Sequence, residues 1–168
     1  MNSSLKIILF SNINGDFQKF TELFSKIREK SGDFDLVILT GNVFNPNKNF
    51  SLVKQLDTIN TKFLIFDQSE VGIVCKHRLG HENYKFSENI EILGRSGFYI
   101  HQGLRIAFLS GKENKKYLSE DEKYKYTSCY FSRDDIDMLI KDSNKFKMKT
   151  DILLINTLPS VIYDEMKK

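Results

Sequence analysis

The chain has 168 residues, of which 40% are hydrophobic and 12% aromatic, enough apolar material for a folded core. This composition excludes a wholly disordered chain, and no run approaches the roughly 20 apolar residues of a membrane span. The 25 basic residues nearly balance the 22 acidic ones, so the net charge of +3 permits an RNA partner without arguing for one. Two cysteines, Cys75 and Cys129, are too few for a disulfide framework, and we expect reduced thiols in an intracellular, reducing compartment.

The first half of the sequence alternates strand and helix patterns. Phe17, Phe20 and Phe24 recur every three or four residues, which predicts an amphipathic helix that Asp16 caps and that ends near Gly32. A weaker helical pattern covers Phe50–Ile59. Three almost continuously apolar runs predict buried strands: Leu5–Phe10, Asp35–Leu39 and Lys62–Phe66. This order predicts a βαβαβ unit with a parallel sheet, and therefore an α/β fold.

The second half predicts a mixed, β-rich region. Glu91–Gly94 is short and extended, and a hairpin with Gly103 at a positive φ is expected between Gly97–Ile100 and Leu104–Leu109. Ser132 precedes two acidic residues and is expected to cap a helix that runs through Ile140. Asp151–Ile155 is expected to be the last strand, and the charged segment 112–125 a solvated loop.

Neutral polar side chains follow the predicted parallel strands. In an open parallel sheet, ligands bind at the carboxyl ends of the strands, so these residues form the candidate site. Amides and hydroxyls predominate there, with Asp67 and Glu70 the acids near the inferred cleft: Ser11, Asn12, Asn14, Gly41, Asn42, Asn45, Asp67, Gln68, Ser69 and Glu70.

The spacing of these loops resembles the signature of the calcineurin-like metallophosphoesterases. Active members of that family read G-D-x-H-G, G-D-x-x-(D/N) and G-N-H-(E/D), and their Asp and His side chains hold two divalent ions. By this resemblance, five positions are degenerate, with Asn12 and Asn42 in place of Asp, Asn14 and Ser69 in place of His, and Gln68 in place of Asn. Neutral amides cannot offset two doubly charged ions, so we predict no metal, no cofactor and no catalysis.

A narrower resemblance is to the N-terminal domain of the CwfJ-type (Cwf19-like) splicing factors, which are related to the lariat debranching enzyme. Four ordered stretches carry it: Lys30–Leu36 running into Gly41–Phe44, Glu88–Ile90 with Leu93–Gly97, Gly103–Gly111, and Asp151–Leu154 with Pro159. The family usually keeps a Gly-Asp pair where Ser11-Asn12 stand, which strengthens the prediction of an inactive site.

This resemblance implies a calcineurin-like metallophosphoesterase sandwich, with 1–168 as one domain at the N-terminus of a longer architecture. It also implies an interaction or scaffold role in pre-mRNA splicing or lariat turnover. The implied partners are spliceosomal proteins, the debranching enzyme and intron RNA, in the nucleus and without a membrane. The chain ends soon after Pro159, where the family's domain continues, so we expect either a piece of a longer protein or an unusually short member.

Several interpretations stay open. The asparagines are either turn residues, because Asn tolerates a left-handed backbone, or the remains of a binding cleft formed with Gly41 and Lys112. One rival function is an active phosphoesterase with a single metal near Asp67, Glu70 and a remote histidine. Another is a metal-free nucleotide- or RNA-binding domain with contacts from Lys115, Lys116 and Tyr117, although neighbouring acids favour a solvated loop there. His77, His81 and His101 are interpreted as surface residues.

Overall fold

The computed structural model describes residues 4–45, 47, 50–68, 83–113, 130–146 and 149–157. These residues fall into two compact units. The first unit holds the residues up to 68 together with 83–93, and the second holds the residues from 94 onward. The expectation of one functional domain over 1–168 stays a prediction. Across the described ranges, no helix is both long and apolar enough to cross a membrane.

The first unit is built on a five-stranded sheet in the order β1-β2-β3-β5-β4. Its strands are β1 (Ile7–Ser11), β2 (Leu36–Gly41), β3 (Lys62–Asp67), β4 (Tyr84–Lys85) and β5 (Ile90–Ile92). The β1, β2, β3 and β5 strands are parallel, and β4 pairs antiparallel with β5. The three predicted parallel strands are confirmed, but the prediction that all three are buried is wrong for β1, which is an edge strand with Leu9 55% exposed. The two-residue β4 is too short to show a periodic signal.

Helix α1 (Phe17–Ser31) covers one face of this sheet, as its phenylalanine spacing predicts. The Asp16 carboxylate accepts a hydrogen bond from the Lys19 N–H at 3.2 Å, which confirms the predicted cap. Phe20 and Phe24 are buried, and their rings contact the β3 ring of Phe63 with centroids 6.2 and 6.0 Å apart. Burying aromatic side chains of this size is the main term that holds the helix on the sheet.

The weaker helical pattern after β2 forms a 3-10 helix over Phe50–Thr58. Val53 and Leu56 are both buried, and they are three residues apart. A 3-10 helix has three residues per turn, so this spacing places both side chains on the same face. The sequence therefore predicts the helical segment, and its two buried apolar residues fit the 3-10 winding that the structure shows.

The second unit contains a three-stranded sheet in the order β6-β7-β8. Its elements are β6 (Ser96–His101), β7 (Leu104–Leu109), helix α2 (Arg133–Phe146) and β8 (Ile152–Ile155). The β6–β7 hairpin is antiparallel, β8 pairs parallel with β7, and the turn has Gln102 at φ 48° and Gly103 at φ 87°. The predicted hairpin is confirmed, and α2 extends beyond Ile140. With a parallel and an antiparallel pairing in each sheet, the α/β class is confirmed, while the calcineurin-like sandwich stays a prediction.

A buried ion pair connects the beginning of β6 to the first turn of α2. The Arg95 guanidinium donates to both carboxylate oxygens of Asp135, at 3.0 and 2.7 Å, and to the Tyr130 carbonyl at 2.9 Å. Asp135 also accepts from the backbone N–H and the hydroxyl of Ser132. In return the Asp135 N–H donates to Ser132 Oγ at 3.3 Å, which confirms Ser132 as the cap. Burial raises the pKa of Asp135, but Arg95 and Ser132 outweigh it and hold that pKa below its ordinary value.

We predict that Arg95→Met destabilises the protein by about 3–5 kcal/mol, because it leaves a buried carboxylate without its counter-charge. Arg105 offers a matched control, since it binds Asp151 with two similar hydrogen bonds, of 3.0 and 2.9 Å. The side chains of that pair are 34% and 35% exposed, against 7% and 1% for Arg95 and Asp135. Arg105→Met should therefore cost much less, because a solvent-exposed ion pair contributes little to stability. Urea denaturation of both variants measures the difference, and equal losses would contradict this account.

The same pair gives a pH dependence with a defined sign. A folded-state pKa below the unfolded value of about 3.9 means that the unfolded chain takes up the proton first as the pH falls. The contribution of Asp135 is therefore present above that value and is lost as the pH falls through the lowered pKa. Asp151, whose pKa Arg105 also lowers, adds to the dependence in the same window. Acid denaturation of wild type and Asp135→Asn measures how the stability of each falls with pH. The difference between the two gives the part of the pH dependence that is due to Asp135.

Candidate functional site

The three parallel strands β1, β2 and β3 end side by side in the first unit. Ser11 pairs with Thr40 and Gly41 pairs with Asp67, so the carboxyl ends of the strands are level. Five polar residues predicted from the sequence lie in the segments that follow, and Gly41 ends β2 beside them: Asn12, Asn14, Gly41, Asn42, Asn45 and Gln68. We refer to these six residues as the amide edge.

Asn12 joins the end of β1 to the end of β2. Its backbone has a left-handed φ of 59°, and its N–H donates to the Thr40 carbonyl at 3.0 Å. Its side-chain Oδ1 accepts a hydrogen bond from the Asn42 N–H at 3.0 Å. Because a backbone N–H can only donate, this contact fixes the side-chain oxygen of Asn12 toward the chain.

A second set of contacts fixes Asn14 and Asn45. Asn14 has a φ of 51°, and its N–H donates to the Asn42 carbonyl at 2.8 Å. The Asn47 N–H donates to Asn45 Oδ1 at 2.9 Å, so the other end of the Asn45 amide is Nδ2. That Nδ2 donates to Asn14 Oδ1 at 3.1 Å. The side-chain oxygens of Asn12, Asn14 and Asn45 are thus all engaged within the edge.

Asp67, the last residue of β3, has a role that the sequence analysis missed. It is completely buried, and its Oδ1 accepts hydrogen bonds from the N–H groups of Val43 at 2.7 Å and Phe44 at 3.1 Å. The next residue, Gln68, donates its N–H to the Gly41 carbonyl at 2.8 Å. An acid directly after an apolar strand was the available signal, but its partners lie 23 and 24 residues earlier in the chain.

Gly41 is the one position of the edge where a side chain does not fit. Its φ is 69°, and a Cβ built there would clash with Asn12 Oδ1 and lie 2.8 Å from Ser11 Oγ. The close approach of Asn12 to β2, which the hydrogen bond to Asn42 requires, therefore depends on glycine at position 41.

Two other sequence-predicted residues belong to the second unit, and the expected contribution of Lys112 to the cleft stays a prediction. Lys112 belongs to the second unit, where it forms an isolated bridge with Tyr130. His101 is in β6, with its ring stacked on Tyr99 at a centroid distance of 6.4 Å. Over the described residues, no three His, Cys, Asp or Glu side chains come close enough together to hold a metal ion. The remaining candidates lie outside the described residues: Ser69, Glu70, Cys75, His77, His81, Lys115, Lys116, Tyr117 and Cys129.

We predict that Gly41→Ala destabilises the protein more than Gly103→Ala does. Both glycines have a left-handed backbone, which costs alanine about 1–2 kcal/mol, but a Cβ at Gly103 would meet nothing within 4 Å. The clash at Gly41 must displace the Asn12 amide and should add about 1–3 kcal/mol. Chemical denaturation of the two variants gives the comparison. Equal destabilisation would mean that the contact between Asn12 and β2 is not tight in solution.

The chain is similar to CWF19-like proteins over nearly its whole length. CWF19-like protein 1 of Mus musculus is 29% identical over 170 residues, covering 94% of this chain and 29% of that protein. The Homo sapiens protein of the same name is 27% identical over 167 residues, covering 94% and 29%. A CWF19-like protein 1 homolog of Caenorhabditis elegans is 27% identical over 161 residues, covering 94% and 28%.

The chain therefore spans less than a third of the length of the curated relatives it matches. No family model matches the sequence. The similarity supports the Cwf19-like part of the resemblance that the sequence motifs carry. The relation to the metallophosphoesterases and to the debranching enzyme stays a prediction.

Proposed function

We propose that this chain is a catalytically inactive, metallophosphoesterase-like interaction domain that acts in pre-mRNA splicing or in the turnover of intron lariats. The observation that carries the proposal is the orientation of the asparagines in the amide edge. At the positions that match metal ligands in the resemblance, the side-chain oxygens of Asn12 and Asn14 are turned into the edge and accept hydrogen bonds there.

This arrangement is unfavourable for a pair of divalent ions. Such ions need several oxygen or imidazole ligands, and carboxylates among them to offset the positive charge. In the amide edge the oxygens of Asn12 and Asn14 already have donors, and an amide carries no charge. Each oxygen keeps only one lone pair, the Nδ2 end of each amide cannot bind a metal, and the charge of the ions would stay uncompensated. This argument supports an inactive site.

The contacts of Asp67 weigh against the rival with a single metal at Asp67 and Glu70. The Asp67 carboxylate is buried and holds the N–H groups of Val43 and Phe44. Turning it toward a metal would leave two N–H groups without their acceptor, at a cost of about 1–3 kcal/mol each. We therefore assign Asp67 a structural role in fixing the segment that carries Asn42 and Asn45.

The biological setting of the proposal comes from the similarity to CWF19-like protein 1. On this basis we propose that the domain works in the nucleus and binds spliceosomal proteins, the lariat debranching enzyme or intron RNA. Because the chain spans under a third of those relatives, the proposal concerns the role of this region within such an assembly.

We predict that manganese titrated into the purified chain to millimolar concentration gives no saturable heat in calorimetry. The same preparation should release no nitrophenol from a nitrophenyl phosphodiester in the presence of manganese. A saturable site of micromolar affinity would overturn the inactive-site proposal, because it would mean that the amide oxygens or residues outside the described ranges supply a working ligand set.

A matched pair of variants sharpens this test. Asn12→Asp/Asn42→Asp adds two carboxylates at the amide edge, and we expect it to gain measurable, though weak, manganese binding. Asn60→Asp/Asn144→Asp adds the same charge at two exposed asparagines outside the edge and should gain none. Equal binding by both variants would show that only the overall charge matters.

The splicing role needs a separate measurement. The tagged chain is recovered from nuclear extract, and the bound fraction is tested for spliceosomal proteins and for intron lariat RNA. Enrichment of either over the same tag alone supports the role. Absence of both, with the chain folded, would remove the splicing part of the proposal and leave the inactive-site part standing.

A further inference from the structure

Asn14 and Gly15 form the chain's only Asn-Gly pair. Both have left-handed backbones, with φ of 51° and 70°, and the Asn14 side chain is exposed. An asparagine followed by glycine is the most reactive amide context in a protein. The reason is steric, since glycine has no side chain to keep its nitrogen away from the preceding side-chain carbonyl.

We propose that Asn14 is a spontaneous deamidation site, at which the chain converts one amide of the amide edge into a carboxylate without an enzyme. The Gly15 nitrogen attacks Asn14 Cγ, a new N–C bond forms, and the Cγ–Nδ2 bond breaks. The proton of the Gly15 N–H passes to hydroxide, and the departing nitrogen takes a proton from water and leaves as ammonia. Water then opens the cyclic imide to aspartate or isoaspartate, so that no oxidant or reductant is needed.

Two contacts of the folded edge restrain this reaction. The Gly15 N–H donates to the Val43 carbonyl at 2.7 Å, which keeps the attacking nitrogen engaged. Asn14 Oδ1 accepts from Asn45 Nδ2 at 3.1 Å, which holds the side chain that would be attacked. The Gly15 contact must open before the ring can close, and the Asn45 contact opposes the rotation that would bring Asn14 Cγ to the Gly15 nitrogen. The rate of deamidation therefore reports how often this part of the edge opens.

The products would change the edge in two ways. Aspartate at position 14 adds a negative charge two residues before Asp16, the cap of α1. Isoaspartate inserts an extra carbon into the backbone and shifts Gly15 relative to the Val43 carbonyl. Either product changes the charge or the backbone path at the carboxyl end of β1, where the candidate site lies.

The test follows the full chain during incubation at mildly alkaline pH and physiological temperature, with mass spectrometry of the peptide that contains Asn14. We expect conversion at Asn14 in the native chain, slower than in the same chain in denaturant. Asn45→Ala should accelerate it about five-fold, the change expected when one ordinary hydrogen bond is lost. Asn60→Ala, at an exposed asparagine outside the edge, should leave the rate unchanged.

Further variants keep the test decisive. Asn45→Asp can still accept from the Asn47 N–H but cannot donate to Asn14, so it should also accelerate the reaction if Asn45→Ala fails to fold. Asn14→Gln should abolish the signal. The proposed site is overturned if native Asn14 stays intact after the denatured chain has fully converted. Equal rates in wild type and the Asn45 variants would overturn the restraint by Asn45. Neither outcome depends on whether the edge binds manganese.

Discussion

The buried carboxylate of Asp67 is the interaction on which the candidate site depends. It ends β3, and it supplies the acceptor for the Val43 and Phe44 N–H groups in the segment after β2. Buried N–H groups without acceptors are costly, and among the residues that the structure describes no strand ladder includes Val43 or Phe44. The Asp67 carboxylate therefore supplies the acceptors that a neighbouring strand would otherwise provide. By holding Val43 and Phe44, it fixes the segment that contains Asn42 and Asn45.

The asparagines extend the same solution across the edge. Where the strands end, backbone groups lose the partners that a regular sheet would give them. Asn12 and Asn14, both with a left-handed backbone, form hydrogen bonds to such groups. Asn12 accepts from the Asn42 N–H, and the Asn14 N–H donates to the Asn42 carbonyl. These contacts are those of turn residues with a structural role. The oxygens of Asn12 and Asn14 each accept a hydrogen bond in this geometry. The structural interpretation of the asparagines is therefore compatible with the proposed function.

Local patterns predict more of this fold than of its site. Several features that depend only on residues close in sequence are confirmed. They are the phenylalanine spacing of α1, the Asp16 and Ser132 caps, and the turn at Gly103. The Arg95–Asp135 pair joins residues 40 positions apart, and no local period marks it. The orientation of an amide likewise depends on a donor from another strand. A sequence can therefore place the asparagines at the edge but cannot say which end of each amide faces outward.

Aspartate and asparagine have nearly the same shape, and both accept a backbone N–H through Oδ1. A change from Asp to Asn at the end of a strand can therefore keep the hydrogen bond that fixes the turn while removing the charge that attracts a metal. In the amide edge the contact between Asn12 Oδ1 and the Asn42 N–H is of this kind. The Asn42, Val43 and Phe44 N–H groups thus have acceptors within the chain. On the proposed function, these contacts let the region keep its shape as a binding surface without its chemistry.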